Sequence, residues 1–143
     1  MVLETAPDNA HPDAPPDGER RKILIVEDEF LLALHMELLL DEAGFLVVGG
    51  ASEAKAAIDL AEATEPDLVM MDVRLRGPMD GVAAATEIWK RFGIRSLFLT
   101  GNTDVADSAR AAKACPFGVL EKPVNDNVVL ARVSEALAEP SSA

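Results

Sequence analysis

Short apolar runs alternate with longer amphipathic segments along most of this chain. The run at 23–26, Ile-Leu-Ile-Val, is apolar throughout, which is the pattern of a β-strand covered on both faces. Comparable short runs follow at 46–48, 68–71, 96–99 and 118–120. Because a segment of helical length follows each run, the pattern predicts five strands alternating with five helices.

Periodicity and end signals locate the helices between these strands. Phe30, Leu34 and Leu38 recur every four residues, which predicts a helix after the first strand. Ser52 is suited to cap the start of the second helix, and Pro66 ends it because the residue before a proline avoids the helical conformation. The predicted helices cover 30–43, 52–63, 81–92, 104–114 and 125–138.

Strict alternation of strands and helices implies an α/β fold, a parallel sheet with helices on both faces. Right-handed crossovers and five strands favour the doubly wound (βα)5 arrangement of the flavodoxin type, with strand order 2-1-3-4-5. We assign this domain to 21–139. The segment 1–20 is rich in proline and acidic residues and poor in apolar ones, so it is predicted to be a disordered tail. A short second tail, 140–143, follows the domain.

The charge balance narrows the possible partners. The chain has 13 basic and 25 acidic side chains and a net charge of −12, which disfavours binding to nucleic acid or to an anionic membrane. The lone Cys115 cannot form an intramolecular disulfide and is predicted to be a small buried residue. Since no apolar run resembles a signal peptide or reaches the length of a membrane span, we predict a cytoplasmic protein.

Acidic residues follow two strands that neighbour each other in the predicted sheet. The first strand ends in Glu27, Asp28 and Glu29, and the third ends in Asp72. Neighbouring strands lie about 4.8 Å apart, and two charges at ~5 Å repel by roughly 3 kcal/mol at an effective dielectric near 20. A hard divalent cation such as Mg²⁺ (or Mn²⁺) would offset this repulsion. A single acid here could instead be a helix N-cap.

Two further strand ends complete the predicted site. Thr100 closes the fourth strand, and Lys122 lies two residues beyond the fifth, before Pro123. An isolated threonine or Lys-Pro pair says little, but acids, a hydroxyl and an ammonium at four strand ends occur together here. Such a set suits phosphoryl transfer, which depends mainly on positioning and charge neutralisation.

At these positions the sequence resembles the receiver domains of two-component response regulators, over about 22–137. The motifs that carry the resemblance are Ile-Leu-Ile-Val-Glu27-Asp28-Glu29, Met71-Asp72-Val-Arg-Leu, Leu99-Thr100-Gly101 and Glu121-Lys122-Pro123. The resemblance implies that Asp72 accepts a phosphoryl group from a phosphohistidine on a sensor histidine kinase or a histidine phosphotransfer protein. Such a protein is a switch rather than an enzyme, apart from supporting its own phosphorylation and slow dephosphorylation.

The resemblance also implies a metal site around the phosphoacceptor. Asp28 and Asp72 would bind Mg²⁺ together with the backbone carbonyl of Arg74, and Glu27 would act through a water molecule.

Two other residues would contact the phosphoryl group in a protein of this kind. Lys122 would pair with Asp72 or with the phosphoryl oxygens, across a cis peptide bond to Pro123. Thr100 would move to hydrogen-bond the phosphoryl group and pull the following loop with it.

The sequence departs from the usual pattern in three places. Val119 stands where receivers usually have an aromatic switch residue, three positions before the lysine. The loop after Asp72 is one residue longer than the common form. The segment Phe98-Leu99-Thr100-Gly101 resembles a subfamily of mostly single-domain receivers with a Phe-x-Thr-Gly signature, in which glycine loosens the loop.

Several alternatives remain open at this point. A haloacid-dehalogenase phosphatase or a Toprim-like nuclease would need an acid where Arg74 stands, and an FMN module would need a phosphate-binding loop where three acids follow the first strand. A receiver that only docks on a partner is the stronger alternative, favoured by Val119. His35 lacks the neighbours of a phosphotransfer histidine and is predicted to pack on its helix.

Output is expected through protein–protein contacts or phosphate relay, because only 138–143 follow Leu137. The first helix, with its wide apolar face, is the predicted docking surface for the phosphodonor. The fifth strand with the fourth and fifth helices is the predicted signalling face, where a homodimer is possible.

Overall fold

A computed structural model describes residues 20–101 and 109–138 of the chain. Within these residues, five parallel strands form one sheet in the order β2-β1-β3-β4-β5. The strands are β1 (Lys22–Val26), β2 (Leu46–Ala51), β3 (Leu68–Asp72), β4 (Ser96–Thr100) and β5 (Gly118–Glu121). The helices are α1 (Phe30–Glu42), α2 (Ala54–Thr64), α3 (Gly81–Phe92), α4 (Ala109–Ala112) and α5 (Asp126–Ala138). The predicted fold class and strand order are confirmed.

The second strand is longer than predicted, and this moves the start of α2. β2 continues through two glycines to Ala51, which pairs with Val26 of β1 after a register shift. The predicted N-cap at Ser52 is therefore wrong. Glu53 precedes the first helical turn instead, in extended conformation, and its backbone forms an isolated bridge with Arg76.

The bounds of α3 agree with the prediction, and its N-terminus shows a side-chain cap. Asp80 accepts a hydrogen bond from the backbone N–H of Ala83 at 2.9 Å, which satisfies one of the orphan donors of the first turn. Gly93 ends the helix in the left-handed region, at φ 70°. Of the predicted helix 104–114, the part 104–108 lies outside the described residues, as do residues 1–19 of the predicted tail 1–20 and the whole predicted tail 140–143.

Two non-glycine residues adopt left-handed backbone conformations after helices. Glu65 (φ 48°) ends α2 before Pro66, so the predicted end of this helix is confirmed. Cys115 (φ 51°) follows α4 and is half-buried, so the prediction of a buried cysteine is wrong. It lies between α4 and β5, and the neighbouring Ala114 is the residue that is fully buried in the core.

Separate hydrophobic cores cover the two faces of the sheet. On one face, α1 and α5 pack on alternate strand residues, with Val129, Val133 and Leu137 as the buried residues of the α5 stripe. On the other face, α2 and α3 pack against the intervening strand residues, among them Phe98. Each buried Val, Leu or Phe side chain stabilises the fold by roughly 1.5–3 kcal/mol relative to exposure. The sheet is thus packed on both faces.

Candidate phosphorylation site

Three carboxylates meet at the carboxyl edge of the sheet. The parallel register of β1 and β3 pairs Val26 with Met71, so the residues that follow are neighbours. Glu27, Asp28 and Asp72 each offer an oxygen, and these atoms lie within 4.8 Å of one another. Glu27 and Asp72 are 4% exposed, whereas the Asp28 side chain is 26% exposed. The predicted acidic cluster is present, with Asp28 on its open side.

Backbone hydrogen bonds hold the loops that present these acids. The Glu27 N–H donates to the carbonyl oxygen of Ala51 at 2.9 Å, which ties the end of β1 to β2. The side chains bond locally as well. The Arg74 N–H donates to Asp72 Oδ1 at 3.2 Å, and the Glu29 N–H donates to Glu27 Oε2 at 3.1 Å. These short-range bonds fix both buried carboxylates in orientation.

The alternative that these acids merely cap α1 is not supported by the geometry. Glu29 is the N-cap residue, and in the described part of the chain its side chain makes no capping hydrogen bond. Asp28 lies one position earlier and lines the acidic cluster instead. The carboxylate of Asp28 is therefore available to bind a cation.

Lys122 extends its ammonium group into the carboxylate cluster. Its Nζ donates to Glu27 Oε1 at 3.0 Å and lies 3.4 Å from Asp72 Oδ2. Its backbone N–H donates to the carbonyl oxygen of Thr100 at 2.8 Å, and the peptide bond to Pro123 is cis. The predicted pairing with Asp72 is present, but the shorter contact is with Glu27. Sequence reasoning missed that contact, because strand order alone does not say which of two neighbouring acids the lysine meets first.

Burial and pairing shift the pKa values of this group in opposing ways. Burial is the largest influence on Glu27 and raises its pKa to about 7, against the lowering effects of the Glu29 N–H and Lys122. Burial lowers the pKa of Lys122, but its hydrogen bond to Glu27 and the charge of Asp72 outweigh it, and the net shift is upward. The ammonium is therefore retained at neutral pH, while ionised Glu27 is costly without a second cation.

Three of the other predicted residues, Thr100, Val119 and Gly101, lie in β4 and β5 or directly after β4. Thr100 closes β4, is 2% exposed and pairs with Glu121 in the register. Val119 pairs with Phe98 and packs, half-buried, against the core of the α2–α3 face. Gly101 is the last described residue before 102–108, so the predicted loosening of this loop lies outside the described residues.

Arg76 in the β3–α3 loop and Gly81 at the start of α3 lie close to the site, although no role was predicted for either residue. Arg76 Nε lies 3.8 Å from Asp28 Oδ2. Gly81 lies so close to the main chain of β3 that an added Cβ would overlap the carbonyl oxygen of Asp72. The Asp80-Gly81 pair and the two loop arginines are visible in the sequence, but their distances to the site depend on the path of the loop. Arg74 itself is exposed.

The donor set fits a hard divalent cation. Three carboxylates converge, one of them partly open to solvent, and they outnumber their two cationic partners among the described residues, Lys122 and Arg76. Oxygen ligands of this type suit Mg²⁺, which is usually bound through one or two carboxylates and keeps several waters. The described residues that could hold it are those of the carboxylate cluster, Glu27, Asp28 and Asp72.

Comparison of the sequence with known proteins identifies one family and several relatives. The family model described as the response regulator receiver domain matches residues 23–134. The transcriptional regulatory protein PdtaR of Mycobacterium tuberculosis is 36% identical over 108 residues, which cover 74% of this chain and 52% of that protein. The phyllosphere-induced regulator PhyR of Methylorubrum extorquens is 30% identical over 123 residues, covering 85% of this chain and 45% of that protein. The chain thus spans about half the length of the curated relatives it matches.

Solved structures agree with the sequence relatives. The signal receiver domain of a modulated diguanylate cyclase from Desulfovibrio desulfuricans G20 superposes with a TM-score of 0.77 at 30% identity, covering 84% of this chain and 95% of that domain. A CheY-like receiver domain protein from Methanospirillum hungatei JF-1 superposes with a TM-score of 0.76 at 25% identity, covering 84% of this chain and 95% of that protein. Across the described residues, no helix has the length and apolar character needed to span a membrane.

Proposed function

The chain belongs to the response regulator receiver family of two-component signalling, and from this premise we propose that it is a phosphorylation switch with Asp72 as the phosphoacceptor. The observation that carries the proposal is the position of the Asp72 carboxylate. It lies within 4.8 Å of two further carboxylates that can hold a cation and 3.4 Å from the Lys122 ammonium. The phosphoryl group would thus arrive between a metal site and a fixed positive charge.

Phosphoryl transfer at this site is a displacement at phosphorus. An Asp72 carboxylate oxygen attacks the phosphorus of a phosphohistidine, the P–O bond forms, the P–N bond breaks, and the imidazole leaves with the bonding electron pair and takes up a proton. Asp28, Asp72 and the Arg74 carbonyl would hold Mg²⁺, with Glu27 acting through water, and the ion would supply charge neutralisation on the phosphoryl oxygens. The hydrogen bond from the Arg74 N–H to Asp72 Oδ1 holds the other carboxylate oxygen in place.

Lys122 and Thr100 are the residues that would register the phosphoryl group. Phosphorylation adds strong acceptor oxygens and about −1.5 to −2 charge. The Lys122 ammonium could exchange part of its contact with Asp72 for a contact with a phosphoryl oxygen. Thr100, which carries a hydroxyl, is the last residue of β4, the strand next to β3. Because Lys122 and Thr100 are joined by a backbone hydrogen bond of 2.8 Å, movement of either strand end is transmitted to the other.

The exposed face of α1 is the proposed docking surface for the phosphodonor. Four large apolar side chains of this helix face solvent, and we call them the α1 stripe: Phe30 (75% exposed), Leu31 (76%), Leu34 (39%) and Leu38 (60%). Exposed apolar patches of this kind usually mark interaction sites. A sensor histidine kinase or a histidine phosphotransfer protein with a helical apolar surface would cover the stripe and bring its phosphohistidine to the adjacent carboxyl edge.

Output is proposed to pass through protein–protein contact or phosphate relay. β5, α4 and α5 form the proposed signalling face, where two copies could pair. We propose a single receiver domain over 21–139, between the acidic tail 1–20 and the short tail 140–143, acting in the cytoplasm. The net charge of −12 supports a protein partner rather than nucleic acid or membrane. The Phe-x-Thr-Gly subfamily assignment stays a prediction.

Intact-mass spectrometry tests the proposed phosphoacceptor. Wild-type protein and Asp72→Asn are incubated with Mg²⁺ and acetyl phosphate. One added phosphoryl group in the wild type, absent from Asp72→Asn and from samples with chelator, is the expected result. If neither acetyl phosphate nor a panel of phosphorylated kinases labels the wild type, the proposal is wrong.

A second candidate function is a receiver that only docks on a partner. Half-buried Val119 favours it, because an aliphatic side chain replaces the ring whose burial usually accompanies switching. Under this alternative, Asp72→Asn would leave partner affinity unchanged whether or not phosphodonor and Mg²⁺ are present. Under the proposed function, the donor changes the affinity of the wild type only.

A further inference from the structure

Arg76 pairs with the one carboxylate of the site that Lys122 does not contact. The Lys122 ammonium lies 3.0 Å from Glu27 and 3.4 Å from Asp72, whereas Arg76 Nε lies 3.8 Å from Asp28 Oδ2. The three carboxylates therefore have two cationic partners, one buried in the cluster and one at its open side. Asp28 is also the acid with most access to solvent, at 26% side-chain exposure.

A backbone contact fixes where the main chain of Arg76 lies relative to the site. Its backbone forms a parallel bridge with Glu53, just before α2. Gly77 follows with φ 95°, which turns the chain away from the bridge. The bridge links the β3–α3 loop to the end of β2, and Ala51 of β2 in turn accepts the hydrogen bond from the Glu27 N–H. The arginine and the acids thus belong to one connected set of loops.

The other side of Arg76 borders a cavity of about 280 Å³ between α2 and α3. Glu53 and Asp59 line this cavity together with Arg76, as do the basic residues Lys55 and Arg91. Asp59 already pairs with Lys55 at 3.5 Å, so Glu53 is the lining carboxylate that Arg76 can meet. The Arg76 side chain is 81% exposed, so packing does not hold the guanidinium at Asp28. It can exchange Asp28 for Glu53 at the cavity without unfolding any element.

We propose that Arg76 is a built-in competitor of the divalent cation: its guanidinium pairs with Asp28, and the cation must displace it toward the α2–α3 cavity in order to bind. The inference rests on the metal site of the proposed function. Arg76 is thereby a positioning residue that sets the cation concentration at which the switch becomes competent. An exposed ion pair contributes about 0.2–1 kcal/mol, so the competition tunes affinity and does not abolish binding.

Isothermal titration of the full chain with Mg²⁺ alone tests this competition. Arg76→Gln removes the charge and leaves the backbone bridge intact. It is expected to lower the Kd for Mg²⁺ by about 1.4- to five-fold, the factors that the 0.2–1 kcal/mol of an exposed ion pair represents. The effect should shrink when salt is raised, since salt screens exposed charges.

Lys90→Gln is the matched control, because it removes one positive charge far from the site. Lys90 is exposed in the last turn of α3. Lys90 lies nine residues after Gly81 at the start of that helix, which is about 13 Å at ~1.5 Å per residue and exceeds a Debye length of about 8 Å at physiological salt. Lys90→Gln should leave the Kd close to the wild-type value.

The guanidinium can also be followed directly in the wild type. In ¹⁵N NMR spectra, the Nε–Hε signal of Arg76 should shift as Mg²⁺ is added, with the same midpoint as the calorimetric titration. The Nε–Hε signal of Arg132, which pairs with Glu135 on α5 at 3.4 Å, should not shift.

The possible outcomes separate this inference from the metal site on which it rests. If the wild type binds Mg²⁺ and Arg76→Gln binds it no more tightly than Lys90→Gln, the competition is overturned and the metal site stands. If neither the wild type nor the variants bind Mg²⁺, the metal site is overturned and the competition with it.

Discussion

Close approach of the backbone at Gly81 shows how one residue ties the phosphoacceptor strand to a helix. The Gly81 N–H donates to the carbonyl oxygen of Val73 at 2.8 Å, and a Cβ at this position would overlap the carbonyl oxygen of Asp72. Glycine is thus required here by the space available and not by its backbone freedom. The first turn of α3 rests directly on the main chain of the residue that would be phosphorylated.

We expect Gly81→Ala to destabilise the protein by about 1–3 kcal/mol, the usual cost of overpacking. The added methyl group must push α3 away from β3, because the atom it meets belongs to the backbone. Urea unfolding measures the change. Gly49→Ala is the matched control in β2, since its Cβ would lie 3.6 Å from the nearest atom, an ordinary contact with a leucine side chain. Equal stability of both variants would contradict the assigned role of Gly81.

Some contacts at the site can be predicted from the sequence, and others cannot. Asp72, Asp28, Thr100 and Lys122 can be predicted from the sequence because each lies at or just beyond the end of a strand, and parallel strands end at one edge. The contacts of Arg76 and Gly81 depend on the path of the β3–α3 loop, which no periodicity describes. The N-cap at Ser52 was mispredicted because the pairing of β2 with β1 overrode a local capping preference.

At the scale of single elements, β4 contains one polar group that its surroundings do not satisfy. Ser96 begins the strand and is 1% exposed, and its hydroxyl finds no hydrogen-bond partner among the described residues. A buried hydroxyl without a partner costs roughly 1–3 kcal/mol of desolvation. The first residue of β4 therefore weakens the strand that ends in Thr100.

Ser96→Ala is accordingly expected to stabilise the fold, by about 1 kcal/mol. The thermal midpoint should rise by a few degrees for a domain of this size. Ser52→Ala, an exposed serine just before Glu53, serves as the control and should be neutral. A lower midpoint for Ser96→Ala would mean that the hydroxyl has a partner, such as a buried water.

A two-point ion pair joins the start of α3 to α4. Arg110 donates from Nη1 to Asp80 Oδ2 at 3.0 Å and from Nη2 to Asp80 Oδ1 at 2.8 Å. The hydrogen bond from Arg110 is the largest influence on Asp80 and lowers the pKa of this carboxyl below its usual value, with the Ala83 N–H acting in the same direction. The pair fixes α4 against the loop that follows the phosphoacceptor.

The sign of this pKa shift predicts how the pair responds to acid. A carboxyl whose pKa is lower in the folded state stabilises the fold above its unfolded pKa and loses that contribution as pH falls through the folded pKa. We expect Asp80→Asn to cost a few tenths to ~1 kcal/mol at pH 7, because the pair is half-exposed, and to cost progressively less as pH falls below the unfolded value of 3.8.

Urea unfolding at a series of pH values measures this difference. Asparagine can still accept the capping hydrogen bond from Ala83, so the variant isolates the charge interaction with Arg110. Asp59→Asn is the control, because Asp59 meets Lys55 at 3.5 Å on an open helix surface, where both side chains are mostly exposed. A cost for Asp80→Asn that does not change with pH would show that loss of the carboxylate charge is not its cause.

Considered as a whole molecule, the chain concentrates carboxylates at one edge of a well-packed sheet, where they outnumber their cationic partners among the described residues. Burial of Glu27 raises its pKa to about 7, and two further carboxylates lie within 4.8 Å. A ligand that binds only the folded state stabilises it by RT ln(1 + [L]/Kd). Occupation of this edge by a cation should therefore increase the stability of the entire domain.

Adding Mg²⁺ at about 100 times its Kd is expected to raise the free energy of unfolding by ~2.7 kcal/mol. Chelator should remove the gain. Asp72→Asn should be at least as stable as the wild type with chelator, since one like charge is lost, but should gain much less from Mg²⁺. Chemical unfolding of both proteins, with Mg²⁺ or chelator, measures the four values. An equal gain in both proteins would place the bound cation elsewhere.

The architecture of the whole molecule was the part that the sequence determined best. Fully apolar strands fixed a sheet covered on both faces, and strict alternation fixed its order. The sequence was less informative about which side of a helix is buried. Phe30, Leu34 and Leu38 have a helical spacing, yet they face solvent while Met36 and Leu40 are buried. Leucine occupies so many positions of α1 that periodicity cannot distinguish a core face from an interaction face.

The open α1 stripe lies on a molecule with a net charge of −12, and these two features oppose each other in concentrated solution. Charge repulsion keeps like molecules apart over a Debye length, which shrinks from about 30 Å at 0.01 M salt to about 3 Å at 1 M. The attraction between apolar side chains survives that change. At low salt, charge repulsion should therefore prevent self-association through the α1 stripe, and at high salt it should not. Concentrated protein should be least prone to aggregation in buffers of low ionic strength.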